Sequence, residues 1–243
     1  MRFNSSLQSF GLGTNSRHFT EAFSFSINPA AIVTTKGICG SIFSERKFSL
    51  NELRIVSGTI SIKRKQAAVG LEVHTLRWTD LSHTWIGIVY GKSLGRIDLG
   101  IRFSYESMKL ANYTPVNNIG SEVGALFQLS EKINWGAYFS IPGPSRSTYI
   151  YGVGIGYEIS ENVFVGASMS RQSNERTGSN VGLTYRPAQQ FKLKTGLITE
   201  TRHPYFSAGW TWNHLVIEVA FNYHLQLGVS PGLFLTFQSG EKP

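Results

Sequence analysis

The chain of 243 residues is poor in charge, in cysteine and in long apolar runs. Charged residues make up 16% of it, against roughly 25% in ordinary soluble domains. Its one cysteine, Cys39, excludes an internal disulfide and a cysteine-based zinc site. No continuous apolar run reaches the ~18 residues that a membrane-crossing helix needs. Strands that cross as a barrel escape that test, because their residues alternate.

Chemical motifs are equally scarce. His18, His74, His83, His203, His214 and His224 show no metal-binding helical spacing, and no Gly-x-Ser-x-Gly elbow occurs. Nothing in the sequence brings Ser168 and His214 together. Gly11-Leu12-Gly13 lacks the third glycine and the preceding strand of a dinucleotide site. No catalytic, cofactor or metal residue is assigned, and the chain is read as non-enzymatic. The net charge of +8 is spread over strand ends and turns, with no basic helix or RNA-binding signature, so no nucleic-acid partner is expected.

Alternation fills the space left by these absences. In 96–106, Ile97, Leu99, Ile101, Phe103 and Tyr105 occupy one parity, and Arg96, Asp98, Gly100, Arg102, Ser104 and Glu106 the other. A period of two is that of a β-strand, whose successive side chains point to opposite faces. The pattern recurs in 119–129, 132–141, 149–159, 178–186, 190–200 and 214–224, and further strands are placed at 36–45, 52–63, 66–77, 83–93, 95–106, 162–171, 204–212 and 230–238. That makes about fourteen strands of roughly ten residues, the length a tilted strand needs to cross a bilayer. Segment 52–63 is less regular, with apolar residues on both parities.

The connections alternate as well. Short turns at Arg64-Lys65, 93–95, Glu131-Lys132, Ser160-Glu161, 187–189 and Asn213 are interleaved with longer ones at 46–51, 78–82, 107–118, 142–148, 172–177, 201–203 and 225–229. Short turns on one side and longer loops on the other are the mark of an outer-membrane barrel. Trp78, Trp85, Trp135, Tyr149, Tyr157, Tyr185, Tyr205, Trp212 and Tyr223 lie near strand ends, where amphipathic rings favour the headgroup zone. The fold expected is an all-β, antiparallel transmembrane β-barrel over 36–243, with residues 1–35 as an N-terminal plug or lead-in segment entering the lumen. Gly152, Gly154 and Gly156 give a bare inner wall against which that segment can pack.

The inward parity carries charges of both signs: Arg54, Glu72, Lys92, Arg96, Asp98, Arg102, Glu106, Glu122, Lys192, Lys194 and Glu218. A selectivity ring would show one sign on one wall. Mixed signs predict pairing across strands and a closed, non-conducting lumen. The opening Met1–Ser6 lacks the charged-then-apolar pattern of an export signal, so export calls for a processed or shortened start.

Two stretches carry a family likeness. Gly11-Leu12-Gly13 followed by 21–30, with Asn28-Pro29-Ala30 before the first strand, resembles the start of FadL-type and PorV/PorQ-type outer-membrane barrels. Ser207-Ala208-Gly209-Trp210 and 221–228 resemble the last hairpins of PorV-like proteins. The resemblance implies Asn28, Pro29 and Ala30 as a plug motif, a cell outer-membrane location and contact with outer-membrane lipid. With small outer loops it implies an accessory or interaction component of protein secretion or surface assembly, of type IX kind, with a protein partner. Two alternatives stay open: a FadL-like channel for small hydrophobic molecules, and a soluble β-rich binding domain.

Overall fold

The computed structural model describes residues 11–141, 143, 149–173, 177–199 and 203–239. Its wall is built from β1 (Ile38–Arg46), β2 (Leu53–Arg64), β3 (Ala67–Trp78), β4 (Leu81–Ser93), β5 (Ile97–Leu110), β6 (Val116–Gln128) and β7 (Ile133–Ile141). It continues with β8 (Ile150–Ser160), β9 (Val163–Gln172), β10 (Gly178–Ala188), β11 (Phe191–Ile198), β12 (His203–Trp212), β13 (Leu215–His224) and β14 (Gly228–Ser239). Each strand pairs antiparallel with the next, and β1 pairs with β14 from Ile38↔Ser239 to Glu45↔Gly232. Closure removes both sheet edges, so every strand has a hydrogen-bonding neighbour on each side.

Side-chain parity decides what faces out. On β8, Tyr151, Val153, Ile155 and Tyr157 are exposed, while Gly152, Gly154, Gly156 and Glu158 turn inward. On β5, Leu99, Phe103 and Tyr105 are exposed, while Asp98 and Arg102 are buried. An apolar exterior running round the whole wall far exceeds the few hundred Å² that a soluble monomer tolerates. Acyl chains are the solvent that fits it, and the chain is a transmembrane β-barrel rather than a soluble domain. The mixed pattern of β2 resolves in the same way. Val56, Ile60 and Ile62 face out, Ser57, Thr59 and Ser61 face in, and the inward aliphatics Leu53 and Ile55 stand at the start of the strand.

Both ends of the wall, Ile38 and Ser239, lie on the side of the short turns. On the opposite side, the loop side, strands run further than the sequence pattern suggests. The connection expected at 78–82 shrinks to Thr79–Asp80, and that at 107–118 shrinks to 111–115, because β3 to β6 continue pairing. Loop residues 142, 144–148, 174–176 and 200–202 lie outside the described residues, as do Met1–Ser6 of the opening.

Residues 11–35 sit within the ring. They form a 3-10 turn at Gly11–Asn15, the one-turn helix α1 (Ser24–Ile27) and a second 3-10 turn at Pro29–Thr34. Asn28 is extended between the last two, as a residue before proline must be. Gly37 then turns the chain into the wall with a φ of 53°, and its missing side chain leaves room for the Ser239 carbonyl.

Candidate functional site: the filled lumen

One side of the lumen is a cradle of glycines. Gly91, Gly100 and Gly124 are cross-strand partners in turn, and so are Gly136 and Gly154. Gly156, Gly166, Gly182 and Gly196 continue the row on β8 to β11. A Cβ at Gly91 would strike Ile32, at Gly100 the Pro29 backbone, at Gly124 Asn28, at Gly154 Asn15 and at Gly182 Leu12. The wall is therefore bare where residues 11–35 lie against it, so that side chains of the segment, and at Gly100 its backbone, reach the strand backbone.

Asn28, Pro29 and Ala30 occupy the middle of that contact and are buried. The Asn28 side chain accepts from the Ala30 N–H at 3.0 Å, capping the second 3-10 turn. Its Nδ2 donates to the carbonyls of Ala125 on β6 and Ala137 on β7, at 3.2 and 3.3 Å. Pro29 takes the first helical position, where a missing N–H costs nothing.

Charges tie the same segment at four further places. Arg102 is buried, with Nε 2.6 Å from Glu72 and Nη1 2.7 Å from Glu122, and its Nη2 donates to the Phe25 carbonyl of α1. Lys192 and Lys194 each bridge Glu21, at 2.6 Å, to Glu218, at 2.7 and 2.9 Å. Glu158 accepts from Ser16 Oγ at 2.6 Å and the Arg17 N–H at 2.9 Å, and meets His18 Nδ1 at 2.5 Å. Asp98 accepts from Ser93 at 2.5 Å and from Arg17 at 3.4 Å. Glu106 meets His83 at 2.5 Å.

Three charges assigned to the interior from parity stand elsewhere. Arg96 is exposed in the turn before β5, where its carbonyl accepts from the Gln128 N–H at 2.8 Å. Arg54 and Lys92 are exposed on the outward parity of β2 and β4. Two aromatic residues move the other way. Trp85, expected at the headgroups, faces the lumen, with Arg102 over its ring at 5.4 Å and His74 at 5.1 Å. Tyr205 is buried, with its hydroxyl 3.1 Å from Asn180 Oδ1.

The opposite side of the lumen is aromatic. Phe43 of β1 stacks on Phe234 of β14 at 4.2 Å, and Phe23 of the N-terminal segment meets both edge-on at 6.3 and 5.7 Å. Ile55, Leu76 and Ile198 complete the cluster towards the loop side. A polar rim covers it. Asn222 donates to Glu45 at 3.0 Å, Lys47 lies 3.5 Å from Glu45, and His203 and His224 stand 4.3 Å apart. Sequence reasoning missed Glu21, Glu158 and this aromatic patch. For the patch, the apolar residues on both parities of 52–63 were the available sign. The arrangement sets an apolar cluster towards the loop side above a salt-linked floor made by residues 11–35, and no group among the described residues is placed for covalent chemistry.

No sequence-family profile matches the chain, and no curated protein matches it by sequence. Solved structures do. The fold is similar to the Ralstonia pickettii toluene transporter TbuX, with a TM-score of 0.70 and 11% identity over 90% of this chain and 94% of that one. It is similar to the Pseudomonas putida toluene transporter TodX, with a TM-score of 0.66 and 9% identity over 89% and 92%. The CymD monoaromatic hydrocarbon channel gives 0.65 and 11% identity over 91% and 94%. At such identities the likeness is one of fold, and it is to FadL-type hydrocarbon transporters, with no PorV/PorQ protein among these three.

Proposed function

We propose that the protein is an outer-membrane channel for small apolar molecules, held shut at rest by its own N-terminal segment. The observation that carries this reading is the aromatic cluster inside the lumen. A water-filled porin lines its lumen with polar groups. Here Phe43, Phe234, Ile55, Leu76 and Ile198 present an apolar wall of the kind that holds small apolar ligands, beneath a thin polar rim. Phe23 closes that wall from the segment side, so movement of residues 11–35 alters the pocket and the path beneath it together. The similar solved structures, a toluene transporter and a monoaromatic hydrocarbon channel by name, support cargo of that size and polarity.

The secretion-accessory reading has less to rest on. Loop-side connections such as Thr79–Asp80, 111–115 and 225–227 are too short to wrap a protein cargo. The test is reconstitution. Proteoliposomes should accumulate labelled toluene saturably, while planar bilayers holding the same protein show no large steady ion conductance. Toluene entry equal to that of protein-free vesicles would overturn the cargo assignment, and a large resting conductance would overturn the closed state.

A further inference from the structure

The outer surface holds charge that the lumen does not use. Arg54 on β2 has Arg46 of β1 and Arg77 of β3 as its direct cross-strand partners. Arg77 faces Ser82 of β4, and Ser82 faces Lys109 of β5. Arg46, Arg54, Arg77 and Lys109 are all exposed, on the outward parity, in the last or next-to-last position at the loop-side end of their strands. None is ion-paired to a carboxylate of the described residues. Among the described residues of β6 to β14, Arg171 is the one exposed cation at a loop-side strand end.

Like charges directly opposite one another destabilise a sheet. Glu52 and Asp80 stand at the same edge, two residues before Arg54 and three after Arg77, but neither is paired with the row, which leaves it open to an external anion. What lies below the row shows where that anion sits. Down β2 from Arg54 the outward residues are Val56, Gly58, Ile60 and Ile62, ending at Arg64, which is also exposed. At about 3.3 Å per residue and a tilt near 40°, that interval spans about 25 Å, the height of an outer-membrane barrel's apolar band. Val73, Leu71 and Val69 on β3, and Tyr105, Phe103 and Ile101 on β5, run parallel to it. The cations thus stand where acyl chains give way to headgroups.

We infer that the loop-side edge of β1 to β5 binds the phosphates of a glycolipid carrying more than one phosphate, its acyl chains lying on the apolar rows beneath. The row follows the hydrogen-bond direction, which is inclined in a tilted barrel. Its four inter-strand steps therefore climb on the order of 10 Å from Arg46 to Lys109. A single phosphodiester cannot reach cations spread over that height, whereas a bulky headgroup with separated phosphates can. Arg supplies paired donors matched to phosphate oxygens. The inference rests on the membrane-spanning fold and is independent of what the lumen carries.

The test compares the wild-type protein with R46Q/R54Q/R77Q/K109Q, both checked for heat-modifiable gel migration so that folding is known. Each is titrated in detergent with bis-phosphorylated lipid A, with the same lipid after phosphatase treatment, and with phosphatidylglycerol, and retention is read by native mass spectrometry. Wild type should prefer the phosphorylated glycolipid. Each Gln should weaken its retention about five-fold at moderate salt, the usual worth of one cation near a charged lipid surface. Arg→Lys at 46, 54 and 77, which keeps the charge and loses the paired donors, should give retention between that of the wild type and the Gln variant, and R64Q/K92Q at the turn side should leave it unchanged. Equal retention by the quadruple variant, or of the dephosphorylated lipid, would overturn the site. Equal retention of phosphatidylglycerol, or full competition by inorganic phosphate, would overturn the glycolipid as its occupant.

Discussion

The two sides of the lumen are filled by different means. On β4 to β10 a row of glycines opens the wall between the inward side chains of Arg102, Glu158 and Phe164, and residues 11–35 meet bare backbone at Gly91, Gly100, Gly124 and Gly154. On β1, β2 and β14 the wall supplies the filling itself, through Phe43, Ile55 and Phe234. The first contact is specific, because Asn28 and Pro29 fit one register of carbonyls and glycines. The second is adaptable, because stacked rings and aliphatic chains accept any apolar neighbour of similar size. A closed gate needs the first kind of surface and an apolar passage needs the second. Substitutions on the two sides should accordingly fail in different ways.

The largest effect is expected from Arg102→Met. It leaves Glu72 and Glu122 buried without their shared cation and removes the donor that holds the Phe25 carbonyl. Breaking a buried pair by removing one partner costs about 3–5 kcal/mol. The unfolding midpoint in urea should fall accordingly, and bilayers holding the variant should show ion conductance. R102M/E72Q/E122Q should recover most of the stability, because no uncompensated charge remains, but not the closed state, because Phe25 still lacks its donor. Conductance absent from both variants would show that the ion cluster does not hold the segment.

Gly100→Val should separate gate from wall. Its side chain would occupy the place of the Pro29 backbone, while a β-branched residue suits the strand. Overpacking of this kind costs about 1–3 kcal/mol, and here it falls on the seating of residues 11–35. The barrel should still close and migrate as a heat-modifiable band, yet conduct. Gly58→Val, on the outward parity of β2 where the nearest neighbour is the Ser41 carbonyl at 4.0 Å, should also close and migrate normally but should not conduct.

Where the period of two held, the sequence was sufficient. It placed Val123, Tyr151 and Phe221 on lipid and Asp98, Arg102 and Glu218 inside, because parity in a closed antiparallel wall is a purely local property. It failed at strand ends. Arg96 shares the inward parity of β5 but precedes the first paired residue, so the pleat no longer aims it. Trp85 and Tyr205 were grouped with the belt by residue type, although their parity already pointed inward. Partners were illegible for a different reason. Glu158 is satisfied by Ser16, Arg17 and His18, and Lys192 and Lys194, which hold Glu218, also take Glu21 as a partner. Those partners lie on a segment with no periodicity, so nothing local says which of them meets which strand. The loop at 78–82 was overestimated because Trp78, Leu81 and Ser82 continue the ladder without an alternating apolar signal.

On the aromatic side the expected loss is of cargo rather than of closure. Phe43→Ala and Phe234→Ala each remove one member of the stack at 4.2 Å. An aromatic pair is worth about 0.5–1.5 kcal/mol beyond its buried area, so binding of a toluene-sized molecule should weaken by roughly two- to ten-fold. The resting conductance should stay low, because Asn28, Arg102 and Lys194 still hold the segment. A Phe43→Leu variant, which keeps the volume and loses the ring, distinguishes stacking from plain apolar contact. Conductance appearing with Phe234→Ala would merge the two sides into one functional surface.

The smallest effect tests whether a ring belongs to the lumen or the lipid. Tyr205→Phe removes a hydroxyl that lies 3.1 Å from Asn180 Oδ1 in the buried interior. Tyr185→Phe removes one from an exposed ring on the outward parity of β10. An intramolecular hydrogen bond contributes about 0.5–1.5 kcal/mol net, so the first variant should lower the unfolding free energy by about 1 kcal/mol. The second should leave it within error, because headgroup water or lipid satisfies that hydroxyl in either case. If Tyr205 instead sat in the headgroup belt, the two variants would behave alike. Equal unfolding curves for both would move Tyr205 outward and detach the Asn180 side of the lumen from the packing described.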